Sequence, residues 1–572
     1  GLLHACQVVA DNPDLNVGEL CRQLARTFAV RPPEQVCLAA TFTADELPAL
    51  CLPRFRDFGL DAEVLCTDYN QVFQELATPQ SLLQSCHGTA VVLARFEDAL
   101  RNQPQEPQVA LATWRDLLFS ALDNWPGETP LLIGVFPVDT GLAEDLHEEL
   151  TTHYAELEEK IAALPGIYPL DLRRTAQRYH VKQPFDRMAD RAGHLPFTAE
   201  FLAAIGSDLV RTCLALRGHP FKVLAVDCDN TLWGGVCGEV PLHQLQMGGG
   251  YRALQQFLQN KQREGFLLAL LSKNEEADVW SVFEQHPEML LNREQFVACR
   301  IDWRDKPANL MELADEIGLG QDSFIFLDDS ARECLRMMHE CPEVLSVQLP
   351  ENPDLFAPFL DQLWGTDKLL INREDSQRSS MYRAERLRQQ SLTGEGTEAF
   401  LEALGLEVQL TEVATSSVAQ VERVSQLSLR TNQFNLNLKR LAPRQVRQFL
   451  EQTGSTGLIV EVHDRFGAYG IVGTLLLTHQ GESATLDSLL LSCRVLGRGV
   501  ETSLLAALAE WCQEHQITSL RTRFHQGSRN HQVHSFLEKS GFALISQAAN
   551  HSDFQISSEK LPVCPEHVTL TW

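Results

Sequence analysis

Residues 221–239 read FKVLAVDCDNTLWGGVCGE, and this stretch decides the fold. Its apolar part, residues 222–226, has the length of a short strand and stops abruptly at Asp227 and Asp229. Side chains alternate along a strand, so these two carboxylates lie on the same side of its end. They repel each other unless a cation joins them, so the pair predicts a bound hard metal, Mg²⁺. The Asp-x-Asp pattern is also common in turns, and the pair alone leaves a plain turn open.

Three stretches downstream place polar groups where a predicted strand ends or a predicted helix begins. They are FLLALLSKN at 266–274, which ends in Ser272 and Lys273; Lys306, between residues 301–305 and a helical pattern at 309–317; and FIFLDDS at 324–330, which ends in Asp328 and Asp329. In a doubly wound parallel sheet, ligands bind outside the carboxyl ends of the strands. The four stretches therefore predict one site at one edge of a sheet.

The residue types in this ordered set are those that phosphoryl transfer needs. Asp227 is the predicted nucleophile and Asp229 the predicted general acid and base. Ser272 and Lys306 are predicted to hold the phosphate, and Asp328 to bind Mg²⁺ together with Asp227 and Asp229. The set resembles the haloacid dehalogenase-like (HAD) phosphatase superfamily, which implies a Rossmann-like, Mg²⁺-dependent domain at 218–373.

The wording of three motifs is more specific than the superfamily pattern. DCDNTLWGGVCGE, LSKN and LSCRVLGRGVE resemble the FkbH-like proteins of polyketide assembly lines, a family also classed with the HAD-IIIC phosphatases. The resemblance extends from about residue 36 to the C-terminus. It implies that D-1,3-bisphosphoglycerate gives up a glyceryl unit, loses phosphate and leaves the acyl group as a thioester on the phosphopantetheine of an acyl carrier protein, as a polyketide starter or extender. Two alternatives stay open, a simple phosphatase with a docking domain and a loader of a related unit such as lactyl.

The first part of the chain, residues 1–217, is predicted to be a separate α/β domain. Its predicted strands lie at 36–42, 62–67, 89–96 and 130–136, with a helical pattern at 44–59. The alternation favours a parallel, doubly wound sheet. This region resembles SGNH-hydrolase domains, which implies a nucleophilic Ser after the first strand, but Thr41 stands there. Asp190 and His194 lie near its GHLPF segment, and without the Ser we expect a degenerate, structural or docking domain rather than an esterase.

The last part, residues 393–572, resembles the N-acetyltransferase (GNAT) fold. Predicted antiparallel strands at 457–462, 468–478 and 485–491 precede SCRVLGRGVE and a helical pattern at 501–515. Arg494, Gly497 and Gly499 match the family's R-x-x-G-x-G loop. The resemblance implies that this loop, with Asn530, holds the phosphates of coenzyme A or of a phosphopantetheine arm at a helix N-terminus. Residues 374–392 are predicted to form a linker helix whose charges face solvent.

Two of the fifteen cysteines lie inside these motifs and are candidates to carry an acyl group. Cys228 stands between Asp227 and Asp229, whose carboxylates disfavour a thiolate, so a small buried side chain is the competing interpretation. Cys493 stands beside Arg494 and a helix N-terminus, which both favour a thiolate. We therefore expect Cys493 rather than Cys228 to carry the acyl group, and a structural role stays open for both.

The charge of the chain argues against one class of partner. With 48 basic and 76 acidic residues the net charge is −28, which disfavours binding to a nucleic acid. The balance is −24 before residue 393 and −4 from there on. We therefore expect an acidic partner to dock on the last part of the chain.

Signals for targeting, membrane insertion and zinc binding are lacking in the sequence. There is no run of about 18 apolar residues, no leader pattern and no Cys/His zinc spacing. We therefore expect a cytoplasmic protein with reduced thiols and no membrane span. The chain opens with Gly1 rather than Met, which indicates a tag remnant or a piece of a longer polypeptide such as a larger polyketide synthase.

Overall fold

A computed structural model describes residues 34–101, 106–126, 129–218, 221–369, 378, 381–382, 384, 388, 397–431, 433–527, 529–548 and 550–572, with the backbone alone at 397–400, 430 and 493. The chain forms two compact units, Gly1–Ser379 and Ser380–Trp572. The first unit holds two parallel sheets and the second holds one mixed sheet. The predicted α/β class with parallel sheets is therefore confirmed.

The first sheet has five parallel strands in the order β2-β1-β3-β4-β5. They are β1 (Glu34–Ala40), β2 (Ala62–Cys66), β3 (Thr89–Leu93), β4 (Leu131–Val135) and β5 (Ile167–Asp171). The helices are α1 (Leu47–Asp57), α2 (Val72–Ala77), α3 (Pro107–Asp123), α4 (Glu144–Ala162), α5 (Thr175–Arg178), α6 (Arg187–Gly193) and α7 (Ala199–Arg217). Strand β5 was not predicted because Pro169 interrupts its apolar pattern, but a proline is tolerated on an edge strand such as β5.

The second sheet also has five parallel strands, in the order β10-β9-β6-β7-β8. They are β6 (Val223–Val226), β7 (Leu267–Ser272), β8 (Phe296–Ile301), β9 (Phe324–Asp328) and β10 (Leu345–Gln348). The helices are α8 (Gly249–Arg263), α9 (Glu276–Gln285), α10 (Lys306–Ile317), α11 (Ala331–Glu340) and α12 (Phe356–Asp361). Strand β6 is central, and the strand order reverses between β6 and β9, where doubly wound sheets bind ligands.

The two parallel sheets share one continuous buried core, so they belong to the same compact unit. Phe58, which follows α1, stacks on Trp364 with ring centroids 4.9 Å apart. Arg211 of α7 pairs with Asp367 at 2.6 Å. These contacts join residues on both sides of the predicted boundary at 217/218, which stays a prediction.

The sheet of the second unit has the strand order β17-β18-β16-β15-β14-β13-β11-β19, with β12 paired to β15. Its strands are β11 (Leu406–Glu412), β12 (Phe434–Asn435), β13 (Ser455–Asp464), β14 (Gly467–Gln480), β15 (Ser483–Leu491), β16 (Ser519–His525), β17 (Ala543–Gln547), β18 (His551–Ser557) and β19 (Val568–Thr571). The helices are α13 (Thr397–Leu404), α14 (Val418–Arg430), α15 (Pro443–Leu450), α16 (Val500–Glu514) and α17 (His531–Lys539). Strands β15 and β16 are parallel, whereas β13, β14 and β15 are antiparallel to their neighbours in that series.

The predicted linker helix at 374–392 lies mostly outside the described residues. Arg388 is an exception, and it is buried, with its guanidinium paired to Asp464 at 2.6 Å and placed over the ring of Tyr469. The expectation of a solvent-facing charge is wrong for this residue, because the ion pair satisfies the buried guanidinium. The second compact unit comprises Ser380–Trp572, and the predicted domain start at 393 stays a prediction. Within the described part of the chain, no helix is long and apolar enough to cross a bilayer.

Candidate active site

Asp227 follows directly on the central strand β6 and is held by two donors from neighbouring elements. The hydroxyl of Ser272, the last residue of β7, donates to Asp227 Oδ1 at 2.7 Å. The ammonium of Lys306, the first residue of α10, lies 2.9 Å from the same oxygen. All three side chains are buried. The structure thus brings together three residues that the sequence predicted for one site.

Lys306 also joins Asp227 to Asp328, the last residue of β9. Its ammonium lies 2.6 Å from Asp328 Oδ2, and the N–H of Ser330 donates to Asp328 Oδ1 at 2.8 Å. Burial and the charge of Asp227 raise the pKa of Asp328 to about 7, although Lys306 lowers it. Burial alone would lower the pKa of Lys306, but the two aspartates raise it above its usual value. Lys306 is therefore a fixed cation at neutral pH.

A third carboxylate, that of Asp329, completes a candidate metal centre. Oxygens of Asp227, Asp328 and Asp329 all lie within 4.8 Å of one another. Burial and Asp227 raise the pKa of Asp329. Three clustered carboxylates against one ammonium leave an excess of negative charge, and all-oxygen donors are the ligands that Mg²⁺ prefers. The donor set therefore fits Mg²⁺, and a bound divalent cation would offset the repulsion that raises these pKa values.

The predicted metal ligand Asp229 is not part of this cluster. Its Oδ1 accepts hydrogen bonds from the indole N–H of Trp233 at 2.9 Å and from the backbone N–H of Cys237 at 3.0 Å. The carboxylate of Asp229 is thus bonded to the loop that follows β6. The third carboxylate of the cluster is that of Asp329. The role of Asp229 as general acid and base stays a prediction.

Two further residues near the site were not assigned a role from the sequence. The amide of Asn274 donates to Ser272 Oγ at 3.0 Å, and the hydroxyl oxygen of Thr231 accepts the N–H of Asp329 at 3.2 Å. Asn274 orients the serine that holds Asp227, and Thr231 orients the backbone of a metal-ligand candidate. Both follow a predicted strand within a few residues, which is the signal that could have identified them.

Cys228 is fully buried beside Asp227. Burial, followed by the charge of Asp227, raises the pKa of its thiol well above the usual value. This favours the structural interpretation, because a neutral thiol is a poor nucleophile. The side chain of Cys493 lies outside the described residues, and its acyl-carrying role stays a prediction.

The carboxyl edge of the first sheet also gathers polar side chains, but they bond to one another. The hydroxyl of Thr41, directly after β1, donates to Asp98. His194 Nε2 lies 2.9 Å from Asp98 Oδ1, and its Nδ1 lies 2.7 Å from the hydroxyl of Tyr69. An activated hydroxyl nucleophile donates its hydrogen bond to an imidazole. The hydroxyl of Thr41 donates to a carboxylate instead. Asp190 pairs with Arg101 at 2.8 Å instead.

The residues predicted to hold coenzyme A or a phosphopantetheine arm already have partners within the second unit. The N–H of Gly497 donates to the carboxylate of Glu501 at 2.6 Å. A Cβ on Gly499, whose φ is +88°, would meet His567 Nε2 at 2.8 Å. Arg494 lies with Nη1 3.5 Å from Met381 Sδ, and the amide of Asn530 bonds to backbone groups. The N–H of Gly497 and the amide of Asn530 are thus used by the chain itself.

Comparison with known proteins adds one likeness of fold. No protein-family model and no curated protein matches the chain. The N-terminal part of the protein BF1531 from Bacteroides fragilis, which contains a phosphatase domain and is complexed with Mg, has a similar structure at 21% identity and a TM-score of 0.52. The match covers 62% of this chain and 99% of that one. The chain therefore shares the fold of that phosphatase-containing protein.

Acetyltransferases match a smaller part of the chain. Ard1 from Thermoplasma volcanium is 15% identical over 26% of this chain and 97% of its own, with a TM-score of 0.21. A mutant form of the spermidine/spermine N-acetyltransferase SpeG from Vibrio cholerae is 10% identical over 27% of this chain and 95% of its own, with a TM-score of 0.22. These scores are too low to assign a fold, and the GNAT assignment stays a prediction.

Proposed function

We propose that this chain is a Mg²⁺-dependent HAD-type phosphatase that loads a glyceryl unit from D-1,3-bisphosphoglycerate onto an acyl carrier protein. The observation that carries the phosphatase part is the cluster of Asp227, Asp328 and Asp329 around Lys306 at the reversal point of a parallel sheet. The carrier, the three-carbon substrate and membership of the FkbH-like family rest on the motif resemblance.

The hydrogen bonds around Asp227 fit nucleophilic attack on a phosphate ester. Ser272 and Lys306 both contact Oδ1, so Oδ2 is the oxygen left to attack phosphorus. The P–O bond to the substrate breaks as the bond to Oδ2 forms, and Asp229 gives a proton to the departing oxygen. Asp229 then takes a proton from water, which attacks the phosphoaspartate and releases phosphate. Asp227, Asp328 and Asp329 would hold Mg²⁺, which would supply positive charge to the phosphoryl group.

The acyl phosphate end of the same substrate needs a different nucleophile. A thiol that attacks the carbonyl carbon forms a thioester, and the C–O bond to the phosphate breaks with release of that phosphate. Cys493, Cys228 or the carrier's own thiol can supply the sulfur. Mapping the acylated peptide after incubation with substrate and no carrier tests which one does so: we expect label on Cys493, and label on Cys228 reverses that choice.

A groove on the second unit supports an acidic partner. A cavity of about 620 Å³ is lined by Lys439, Arg521 and Arg523 together with Asp487 and Asp553. Arg523 pairs with Asp553 at 2.7 Å, and burial raises the pKa of Asp487. The three cations thus outweigh the negative charge of the groove, in a chain whose net charge is −28. A negatively charged carrier fits this face better than the strongly acidic first unit.

The test is the intact mass of a holo-carrier protein after incubation with the enzyme, Mg²⁺ and D-1,3-bisphosphoglycerate. We expect the carrier mass to rise by one glyceryl group, and to stay unchanged with Cys493→Ala if that thiol carries the acyl group. Phosphate release with an unchanged carrier mass in the wild type contradicts loading. It favours the second candidate, a Mg²⁺-dependent phosphatase whose last unit only docks a partner. The internal bonds of Gly497 and Asn530 speak for this candidate.

A further inference from the structure

Strands β15 and β16 pair along only part of their length. Ser483–Leu486 pairs with Ser519–Thr522, and beyond these residues the two strands bond to another part of the chain. The N–H of Leu436 donates to the carbonyl of Leu489 on β15, and the N–H of His525 on β16 donates to the carbonyl of Leu436, both at 3.0 Å. The segment 434–437 therefore fills the opening between the strands and uses backbone groups of both.

This segment is fixed by packing as well as by backbone bonds. Phe434 and Asn435 pair with Leu491 and Leu490 of β15 in antiparallel register. Phe434, Asn435 and Leu436 are buried, and the ring of Phe434 lies 5.4 Å from that of Phe536 on α17. An extended segment that bonds to strands on both sides is bound as an inserted strand.

Asn530 serves this segment rather than a ligand. Its amide N–H groups donate to the carbonyls of Asn435 and His525, each at 2.8 Å. Its side-chain oxygen accepts the N–H of Gly527 at 2.8 Å. The side chain is fully buried, so no hydrogen on its nitrogen is left for an arriving arm. Asn530 is thus a positioning residue that ties the segment to β16.

The loop at the start of α16 is also occupied. The Glu501 carboxylate accepts the N–H of Gly497, where an anion would bind at the helix N-terminus. His567 closes on Gly499, and its Nε2 lies 3.0 Å from the carbonyl of Arg498. A glycine has no side chain, so a ligand can approach its backbone closely. At Gly499 the imidazole of His567 occupies that space. The positions predicted for the phosphate and for the phosphopantetheine arm are therefore both occupied by groups of the chain.

We infer that the opening between β15 and β16 is a strand-binding site whose ligand is the chain's own segment 434–437, and that this opening is thereby closed to a phosphopantetheine arm. An arm that ran from the Gly497 loop to Asn530 would have to displace the segment. Where the proposed function holds, the carrier docks on the surface of this unit and its thiol reacts outside the opening between β15 and β16. The inference deepens the proposed function but is tested without substrate or carrier.

The first experiment uses the full chain and coenzyme A as the probe. Hydrogen exchange is measured by mass spectrometry on peptides that contain Leu436 or His525, and binding by calorimetry. We expect slow exchange that coenzyme A at millimolar concentration does not change, and no saturable heat. Saturable binding with faster exchange at Leu436 overturns the inference, because the segment is then displaced by the arm.

Two variants separate the parts of the site. Glu501→Gln removes the carboxylate charge at Gly497 while the opening stays filled, so we expect no gain in coenzyme A binding. Binding by this variant with unchanged exchange at Leu436 overturns the inference, since the segment is then no barrier.

Asn530→Ala removes three hydrogen bonds, those to Asn435, His525 and Gly527, and we expect about tenfold or faster exchange at Leu436 and His525. Asn550→Ala, an exposed asparagine of the same unit, is the matched control and leaves both rates unchanged. Equal rates in both variants contradict the role assigned to Asn530. Failure of carrier loading with these results intact counts only against the proposed function.

Discussion

The two parallel sheets of the first unit gather polar residues at the same kind of place, yet only one of them forms a candidate active site. In each sheet the strand order reverses next to the first strand, β1 or β6. Asp328 on β9 is a fully buried carboxylate beside that point, and Asp98 near β3 has a side chain that is only 7% exposed. Burial tends to raise the pKa of both, but Arg95 and His194 lower that of Asp98 below its usual value. The pKa of Asp328 stays raised, to about 7.

The difference shows that position at a carboxyl edge does not by itself make a site. Around Asp98 the carboxylate contacts the guanidinium of Arg95, the imidazole of His194 and the hydroxyl of Thr41, and these contacts stabilise the fold as it stands. Around Asp227 three carboxylates surround one lysine, so negative charge exceeds positive charge in the cluster. Unbalanced charge held in place by the fold is what a cation and a phosphate can use.

The largest effect is expected from Asp227→Asn. The amide keeps the shape of the side chain but cannot accept a phosphoryl group, so phosphate release should fall by roughly 10³-fold or more. Release is followed with D-1,3-bisphosphoglycerate and saturating Mg²⁺. Asp322→Asn, at an exposed carboxylate just before β9, is the matched control and should stay within twofold. Near-normal phosphate release by Asp227→Asn would contradict the assignment of the active site to the second sheet.

Asp329→Asn and Asp229→Asn separate the carboxylates that cluster in the structure from the metal ligands predicted from the sequence. Asp329 belongs to the cluster, so its loss should weaken Mg²⁺ binding about 10–100-fold and raise the Mg²⁺ concentration needed for half-maximal activity. Asp229→Asn should lower the maximal rate with little change in that concentration. The reverse pattern in Mg²⁺ titrations restores Asp229 as the ligand.

The raised pKa of Asp328 predicts a pH-dependent effect of Mg²⁺ on stability. Because the folded metal-free protein favours the protonated form, this group costs stability as pH rises from its ordinary pKa towards 7 and above. Mg²⁺ binds the ionised form and offsets that cost. The rise in melting temperature on adding Mg²⁺ should therefore be larger at pH 8 than at pH 6. An equal rise in melting temperature at both pH values contradicts this prediction. The same pH difference in Asp328→Asn shows that Asp328 is not its cause.

The smallest effect on activity is expected at the first sheet. His194→Ala should leave phosphate release within twofold of wild type and cost about 1–3 kcal/mol of stability, because it removes the buried bonds of the imidazole to Asp98 and Tyr69. Denaturant unfolding measures the cost. The full chain should not turn over p-nitrophenyl esters, and turnover that His194→Ala abolishes shows that the first sheet is a working esterase after all.

Sequence reasoning succeeded where a strand leads directly into a polar residue. Asp227, Ser272 and Asp328 end or follow buried apolar runs, and Lys306 opens a helix, so local pattern and sheet topology together bring them to one edge. The choice between Asp229 and Asp329 was not accessible in this way. It depends on bonds from Trp233 and Cys237 to Asp229, which form only when the loop after β6 has folded.

The second unit shows the opposite limit of sequence reasoning. The R-x-x-G-x-G pattern predicted a ligand loop, but a carboxylate and an imidazole of the same chain occupy it. The two-residue strand β12 carries no periodic signal, because its pairing with β15 is set by distant contacts. The sequence likewise predicts a surface charge at Arg388, because its buried ion pair with Asp464 depends on a residue far away in the sequence.

The most direct test of the account is to trap the phosphorylated enzyme. The full chain is incubated with D-1,3-bisphosphoglycerate and Mg²⁺, quenched in acid and digested, and the phosphate is mapped by mass spectrometry. The account predicts an acid-quenched phosphoaspartate on Asp227, formed with Mg²⁺, absent after chelation and absent in Asp227→Asn. Phosphate release that continues in chelated enzyme or in Asp227→Asn, or a phosphoryl group on another residue, contradicts it.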